Sequence, residues 1–225
     1  MSEGVGTINN PHDKYFKETL GNIEIAEDFI KNYLPDEILG IIELSTLKPK
    51  KDSFISKDLE ETFSDLLFSV TINGYNGYIY FLFEHKSYLS TNVSFQLLKY
   101  MIEIWENKIK KENSYELPIV IPLVIYHGQK SWDIAKTLGD VIVGYNDLTP
   151  NIQKYVPNYE YLIYDLNSFG MKDIKGKVEL RIFLDIIKHI QSPDEEQFIA
   201  SFKRGIEAFL KLKEKPTVMG YFKPL

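Results

Sequence analysis

The chain has 225 residues, 44% hydrophobic and 14% aromatic, enough apolar material for a sizeable core and not the composition of a disordered or low-complexity protein. Its 26 Lys+Arg against 32 Asp+Glu leave a formal net charge of -6, which excludes a simple basic DNA-coating protein but not a nuclease, whose acidic metal ligands add negative charge. The absence of cysteine excludes disulfide frameworks, thiolate nucleophiles and thiolate zinc sites.

A cytoplasmic location is the expectation. The N-terminus, Met1 to Pro11, has no basic region followed by an apolar one, so no signal peptide is read there. The apolar runs are too short to span a bilayer, and no membrane partner is expected. With no internal repeat or flexible linker, residues 1–225 read as a single domain, with a core over about 12–130 and a C-terminal extension over about 131–225.

Tyr15, Phe16, Leu20, Ile23, Ala26, Phe29, Ile30 and Tyr33 recur at helical spacing, predicting helix over 12–33, broken in two at Gly21-Asn22. Residues 41–48 read as a strand and Lys48 to Ser53 as a loop. Residues 63–72 and 78–87 read as two strands of a hairpin around Asn73-Gly-Tyr-Asn-Gly77, whose two Asn-Gly pairs are strong turn signals. A four-residue loop over 73–76 pairs Ile72 with Gly77 and sets Asp65 directly opposite Glu84.

A helix over 92–111 follows, with an apolar stripe of Phe95, Leu98, Ile102, Trp105 and Ile109. Gln96, Tyr100, Glu103 and Asn107 form a polar stripe beside it. Residues 117–126 read as a buried strand in which Pro122 requires an edge, a bulge or a strand start. Another strand is expected over 159–166, then amphipathic helices over 176–191 and 194–213. This order is that of an α/β protein with a mixed sheet.

The chemistry concentrates at the hairpin's open end. Glu84 and Lys86 are two residues apart on one strand and therefore share a face, and Asp65 stands near the start of the strand before. Two carboxylates one strand apart can hold a hard divalent cation, and an adjacent ammonium can stabilise phosphate charge. An ion pair at a sheet rim explains the same residues, and spacing alone divides the two readings evenly. The Gln96/Tyr100 stripe is equally readable as the solvated side of an amphipathic helix.

His12-Asp13 suggests a phosphohydrolase dyad, but His85, His127 and His189 do not supply its further ligands, so a helix start or structural hydrogen bond is the better reading. His85 alternates away from Glu84 and Lys86, and His127 is read as a core or loop-anchoring residue that could also face the site. The lysines at 48, 50 and 51 and at 108, 110 and 111 can meet phosphates, but lysines at a helix C-terminus are favourable in any case. A two-carboxylate glycosidase is a third reading that needs neither lysine nor metal.

An Asp on one strand, Glu-x-Lys on the next, and then Gln96-Leu-Leu-Lys-Tyr100 on a helix resembles the PD-(D/E)xK nuclease superfamily and its Q-x-x-x-Y branch. More narrowly, several segments in order resemble the recombination-promoting nuclease, or "putative transposase", family. They are His12 to Lys17, Phe29-x3-Tyr33-Leu-Pro35, Asp58-Leu59 with Ser64-Asp-Leu-Leu67, Phe83-Glu-His-Lys-Ser87, and Pro122 to Gly128 with Trp132. The resemblance covers roughly residues 11–185.

It implies a restriction-endonuclease-like fold, a mixed central sheet flanked by helices with an α-helical C-terminal part. It also implies a metal-dependent DNA endonuclease linked to recombination or transposition. On that resemblance Asp65 and Glu84 are the metal ligands for Mg²⁺ or Mn²⁺, Lys86 is the catalytic lysine and Gln96 a helper near the metal or phosphate. Many family members carry Gln where this chain has Lys86, and this departure favours retained activity. Family chains often run longer, which leaves the role of the C-terminal region open. DNA is the expected partner and a homodimer a further expectation. The alternative is a catalytically inactive relative acting as a nucleic-acid- or protein-binding module.

Overall fold

A computed structural model describes residues 11–50, 64–84, 92–113, 115–128, 131–170, 172–190 and 195–213. Two helices open it, α1 (Pro11–Leu20) and α2 (Ile23–Tyr33), broken at Gly21-Asn22 as the sequence predicts. Asn22 makes the break productive, because its side chain accepts from the Glu24 N–H and caps α2. The short α3 (Asp36–Leu39) leads into β1 (Ile42–Pro49), β2 (Ser64–Ile72) and β3 (Tyr75–Glu84). The long α4 (Val93–Glu112) crosses over to β4 (Ile119–Tyr126). Short 3₁₀ turns and α5 (Pro150–Gln153) precede β5 (Leu162–Asp165), and α6 (Val178–His189) and α7 (Glu195–Lys213) complete the described chain.

Among the described residues the strands form one sheet in the order β1-β2-β3-β4-β5. The first three run antiparallel, and β4 and β5 add in parallel. This is a mixed five-stranded sheet flanked by helices, with helices at the C-terminus: the restriction-endonuclease-like α/β architecture. The side chains of β2, β3 and β4 alternate between two cores. One face sends Phe68, Val70, Ile79, Phe81, Phe83, Leu123 and Ile125 against α1, α2 and α6. The other sends Leu67, Tyr80, Leu82, Val124 and Tyr126 against Val93, Leu97, Tyr100 and Ile104 of α4.

The hairpin corrects the expected register. The loop is the two-residue turn Asn73-Gly74, with φ of 50° and 80°, so Ile72 pairs with Tyr75 and Asp65 with Leu82 rather than Glu84. Two positive-φ residues make the turn whose twist matches the flanking strands, and Asn-Gly adopts it most cheaply. The second Asn-Gly lies inside β3, where Gly77 pairs with Val70 and Ile119. A Cβ there would sit 2.6 Å from the Ile72 side chain. The shift is two residues, so the faces are preserved.

Two other expectations change. On α4 the buried stripe is Val93, Leu97, Tyr100, Met101 and Ile104, while Phe95 and Ile102 are exposed. Tyr100 therefore belongs to the core and not to a solvated stripe. β5 is shorter than expected. It pairs with β4 only from Leu123 onward, so at Pro122 β4 has a neighbour on one side alone, the edge environment that proline demands.

The C-terminal helices are tied back by buried charge. Asp28 of α2, 8% exposed, accepts from the Lys177 N–H at 2.6 Å and from Asn32 Nδ2 at 3.0 Å. It thus caps α6 from another helix. Gly176 makes room, with φ of 102° and a hypothetical Cβ only 2.6 Å from Asp28 Oδ2. Tyr33 adds its hydroxyl, which accepts from the Lys175 N–H at 2.8 Å. Between α6 and α7, Arg204 donates to both oxygens of buried Asp185 at 2.9 Å.

Unfolding measurements test these features. Gly74→Ala is expected to cost about 1 kcal/mol because of its positive φ, while Asn76→Val, at a strand position, is expected to be neutral or stabilising. A four-residue loop reverses that order. Asp28→Ala is expected to cost about 1–2 kcal/mol and Gly176→Ala about 1–3 kcal/mol, each kcal/mol lowering the melting temperature by about 2–4 °C.

Candidate active site at the open end of the hairpin

The site is assembled where β2 begins, β3 ends and α4 starts. Asp65 is the second residue of β2 and is half-buried. Glu84 is the last residue of β3 and pairs with Tyr126 of β4. Because Asp65 pairs with Leu82, positions 65, 82 and 84 share the α4 face of the sheet by strand alternation. Asp65 and position 84 are diagonal rather than direct neighbours, a relation that sets Cα atoms roughly 7–8 Å apart. Lys86 and His85 lie outside the described residues.

Gln96 stands in the first turn of α4 over this face, half-buried, with its N–H bonded to the Asn92 carbonyl. Its side-chain Nε2 is buried and has no hydrogen-bond partner among the described residues, nor has the Tyr100 hydroxyl one turn on. Burial pushes the Tyr100 phenol far above its usual range, and the charge of Asp65 pushes it further. Gln96 and Tyr80 oppose that rise without reaching hydrogen-bond geometry. Gln96 thus stands on the helix that covers the sheet face of Asp65, and Tyr100 joins it as a buried aromatic.

Tyr80 is the residue that sequence reasoning missed. Its hydroxyl donates to Asp65 Oδ2 at 2.9 Å. Its ring is 1% exposed and lies 5.1 Å from that of Tyr100, tilted by 32°. Burial, then the carboxylate of Asp65, drives its phenol well above the usual range, so it stays a neutral donor. A signal was present. Tyr80 has the parity of Glu84, deep in the apolar run of residues 79–83, and a buried tyrosine hydroxyl needs a partner.

His127 does not face this site. It is 1% exposed and stacks on Phe83 at 4.5 Å, which stacks in turn on Phe16 at 4.0 Å, all on the opposite face. The neighbouring family segment is structural too. Gly128 is required because a Cβ would fall 2.1 Å from the Tyr126 hydroxyl. Its carbonyl accepts from Asn167 Nδ2, and Asp165 accepts from the Trp132 N–H at 2.8 Å, fastening the chain after β4 to the end of β5. Of His12 and Asp13, the backbone lies in α1.

Among the described residues no group of three or more His, Asp or Glu could hold a metal by itself. Asp65 brings a carboxylate to this corner, the kind of hard oxygen ligand that suits Mg²⁺ or Mn²⁺. Such ions are commonly held by one or two carboxylates, with waters and substrate phosphates completing the shell. The chemistry of the Asp65 carboxylate is therefore that of a divalent-cation ligand. Among the described residues, no helix is long and apolar enough to cross a membrane.

Over 125 residues the chain is 34% identical to recombination-promoting nuclease RpnD of Escherichia coli O157:H7, covering 56% of this chain and 48% of the relative. It is 39% identical over 124 residues to recombination-promoting nuclease RpnA of Escherichia coli K12, covering 55% and 42%. It is 36% identical over 126 residues to the inactive recombination-promoting nuclease-like protein RpnE of the same strain, covering 56% and 42%. The matches thus span about half the length of these relatives, or somewhat less. No solved structure matches the chain. The model of the family described as "Putative transposase, YhgA-like" matches residues 10–216, nearly the whole sequence, and the chain belongs to that family.

Proposed function

We propose that this protein is a metal-dependent DNA endonuclease that hydrolyses phosphodiester bonds in recombination or transposition. The observation that carries the reading is the corner itself. A half-buried Asp65 and the Glu84 position share one sheet face, under a helix whose first turn carries Gln96 with a buried amide. The relatives named recombination-promoting nucleases support it independently.

In this reading Asp65 and Glu84 hold Mg²⁺ or Mn²⁺. When bound, such an ion supplies Lewis-acid stabilisation of phosphoryl charge and lowers the pKa of a coordinated water. The remaining work falls to the chain. Lys86 places positive charge where the phosphate gains negative charge. The Gln96 amide is a donor to a phosphate oxygen or a water. Tyr80 and Tyr100, neutral and buried, wall the corner from solvent and strengthen its electrostatics. The protein acts in the cytoplasm, and two copies provide the two sites that cutting both strands requires.

A second reading is an inactive relative that binds nucleic acid or a protein partner. The likeness to a relative named as inactive and the net charge of -6 favour it. Incubation of plasmid DNA with the purified protein decides between them. Nicking or linearisation that requires Mg²⁺ or Mn²⁺, stops with EDTA and falls about 10²-fold or more in Asp65→Ala and Lys86→Ala is the expected result. DNA retention without cleavage supports the binding module. Equal cleavage by wild type and both variants means a contaminant and removes the proposal.

A further inference from the structure

We propose that Tyr80 is a positioning residue for Asp65, orienting its carboxylate toward the divalent cation. This rests on the reading of Asp65 as a metal ligand.

The geometry begins with the register. Leu67 pairs with Tyr80 and Asp65 with Leu82, which makes Tyr80 and Asp65 diagonal neighbours on one face. Diagonal positions are too far apart for short side chains but within reach of an aromatic one. Tyr80 spans the gap and places its hydroxyl 2.9 Å from Asp65 Oδ2. The terminal torsion of an aspartate is broad, so a carboxylate near a strand end has no orientation of its own. The phenol provides one. Its ring is fixed by burial and by Tyr100, and its hydroxyl is thereby held against Asp65 Oδ2.

The chemistry of the donor matters as much as its place. A lysine or arginine there would neutralise the carboxylate and compete with a cation. A neutral phenol engages one oxygen and leaves the negative charge in place. Partners of this kind tune ligand orientation, and their removal typically costs about 10- to 100-fold in metal affinity.

The test titrates Mn²⁺ into wild type, Asp65→Ala, Tyr80→Phe and Tyr78→Phe, followed by calorimetry and by the electron paramagnetic resonance of free Mn²⁺. Unfolding temperatures are measured in EDTA. The expected result is binding by wild type, loss in Asp65→Ala, about ten-fold weaker binding in Tyr80→Phe and no change in Tyr78→Phe. Cleavage by Tyr80→Phe should recover at higher Mn²⁺, whereas a merely structural defect lowers the rate at every Mn²⁺ concentration. Should Tyr80→Phe fold poorly, 4-fluorophenylalanine at position 80 fills the hydroxyl's volume without a donor and carries the same expectation. Wild-type affinity in a folded donor-less variant, with Asp65→Ala still defective, overturns the role of Tyr80 and spares the metal site. Equal binding by wild type and Asp65→Ala, or none by either, overturns both.

Discussion

Two residues with positive φ, Asn73 and Gly74, govern the geometry at the far end of the hairpin, nine residues away along β2. A tight turn of this kind admits one register, and that register decides what stands across from what. It pairs Asp65 with Leu82 and makes Tyr80 its diagonal neighbour. A one-residue slip would turn Asp65 to the opposite core, among the phenylalanines, where an ionised carboxylate has no partner. The turn and the Asp65 corner are therefore one constraint expressed at two ends of a ribbon.

The sheet separates two tasks between its faces. Toward α1, α2 and α6 it presents an aromatic layer, with Phe16, Phe83 and His127 stacked through it. Toward α4 it presents Tyr78, Tyr80 and Tyr126, whose rings fill space as a phenylalanine would while adding a hydroxyl that can serve a polar group. Tyr80 is the clearest case. A phenylalanine there would pack as well and lose the hydrogen bond to Asp65. Among the described residues, the polar chemistry thus sits on the face covered by one helix, α4, and most of the bulk hydrophobic burial lies on the face covered by α1, α2 and α6.

Much of this was legible in sequence, because the signals were local. Periodicity located both opening helices, and Gly21-Asn22 their break. The Asn-Gly pairs located the hairpin, and Pro122 demanded an edge that the short β5 provides. What failed were choices between two equivalent local signals. Asn73-Gly74 and Asn76-Gly77 are both good turns, and only the packing of Gly77 against Ile72 selects between them. The long helix carries two apolar stripes, and the one led by Val93 and Leu97 wins because it meets the tyrosines of β3. Asp65 and Gln96 stood out as candidate site residues by their order along the chain. Tyr80 was not, because its role depends on a register that no single strand contains.

The cap on α6 has a kinetic side. Asp28 and the N–H it receives are 149 residues apart in sequence, and Tyr33 reaches Lys175 across 142. The opening helices are made first on the ribosome, yet their final neighbours are made late. Until roughly residue 177 has emerged, Asp28 lacks that partner and the helices lack part of the surface they bury against. Closure of so long a loop must precede its reward, so this protein is expected to mature slowly and largely after synthesis.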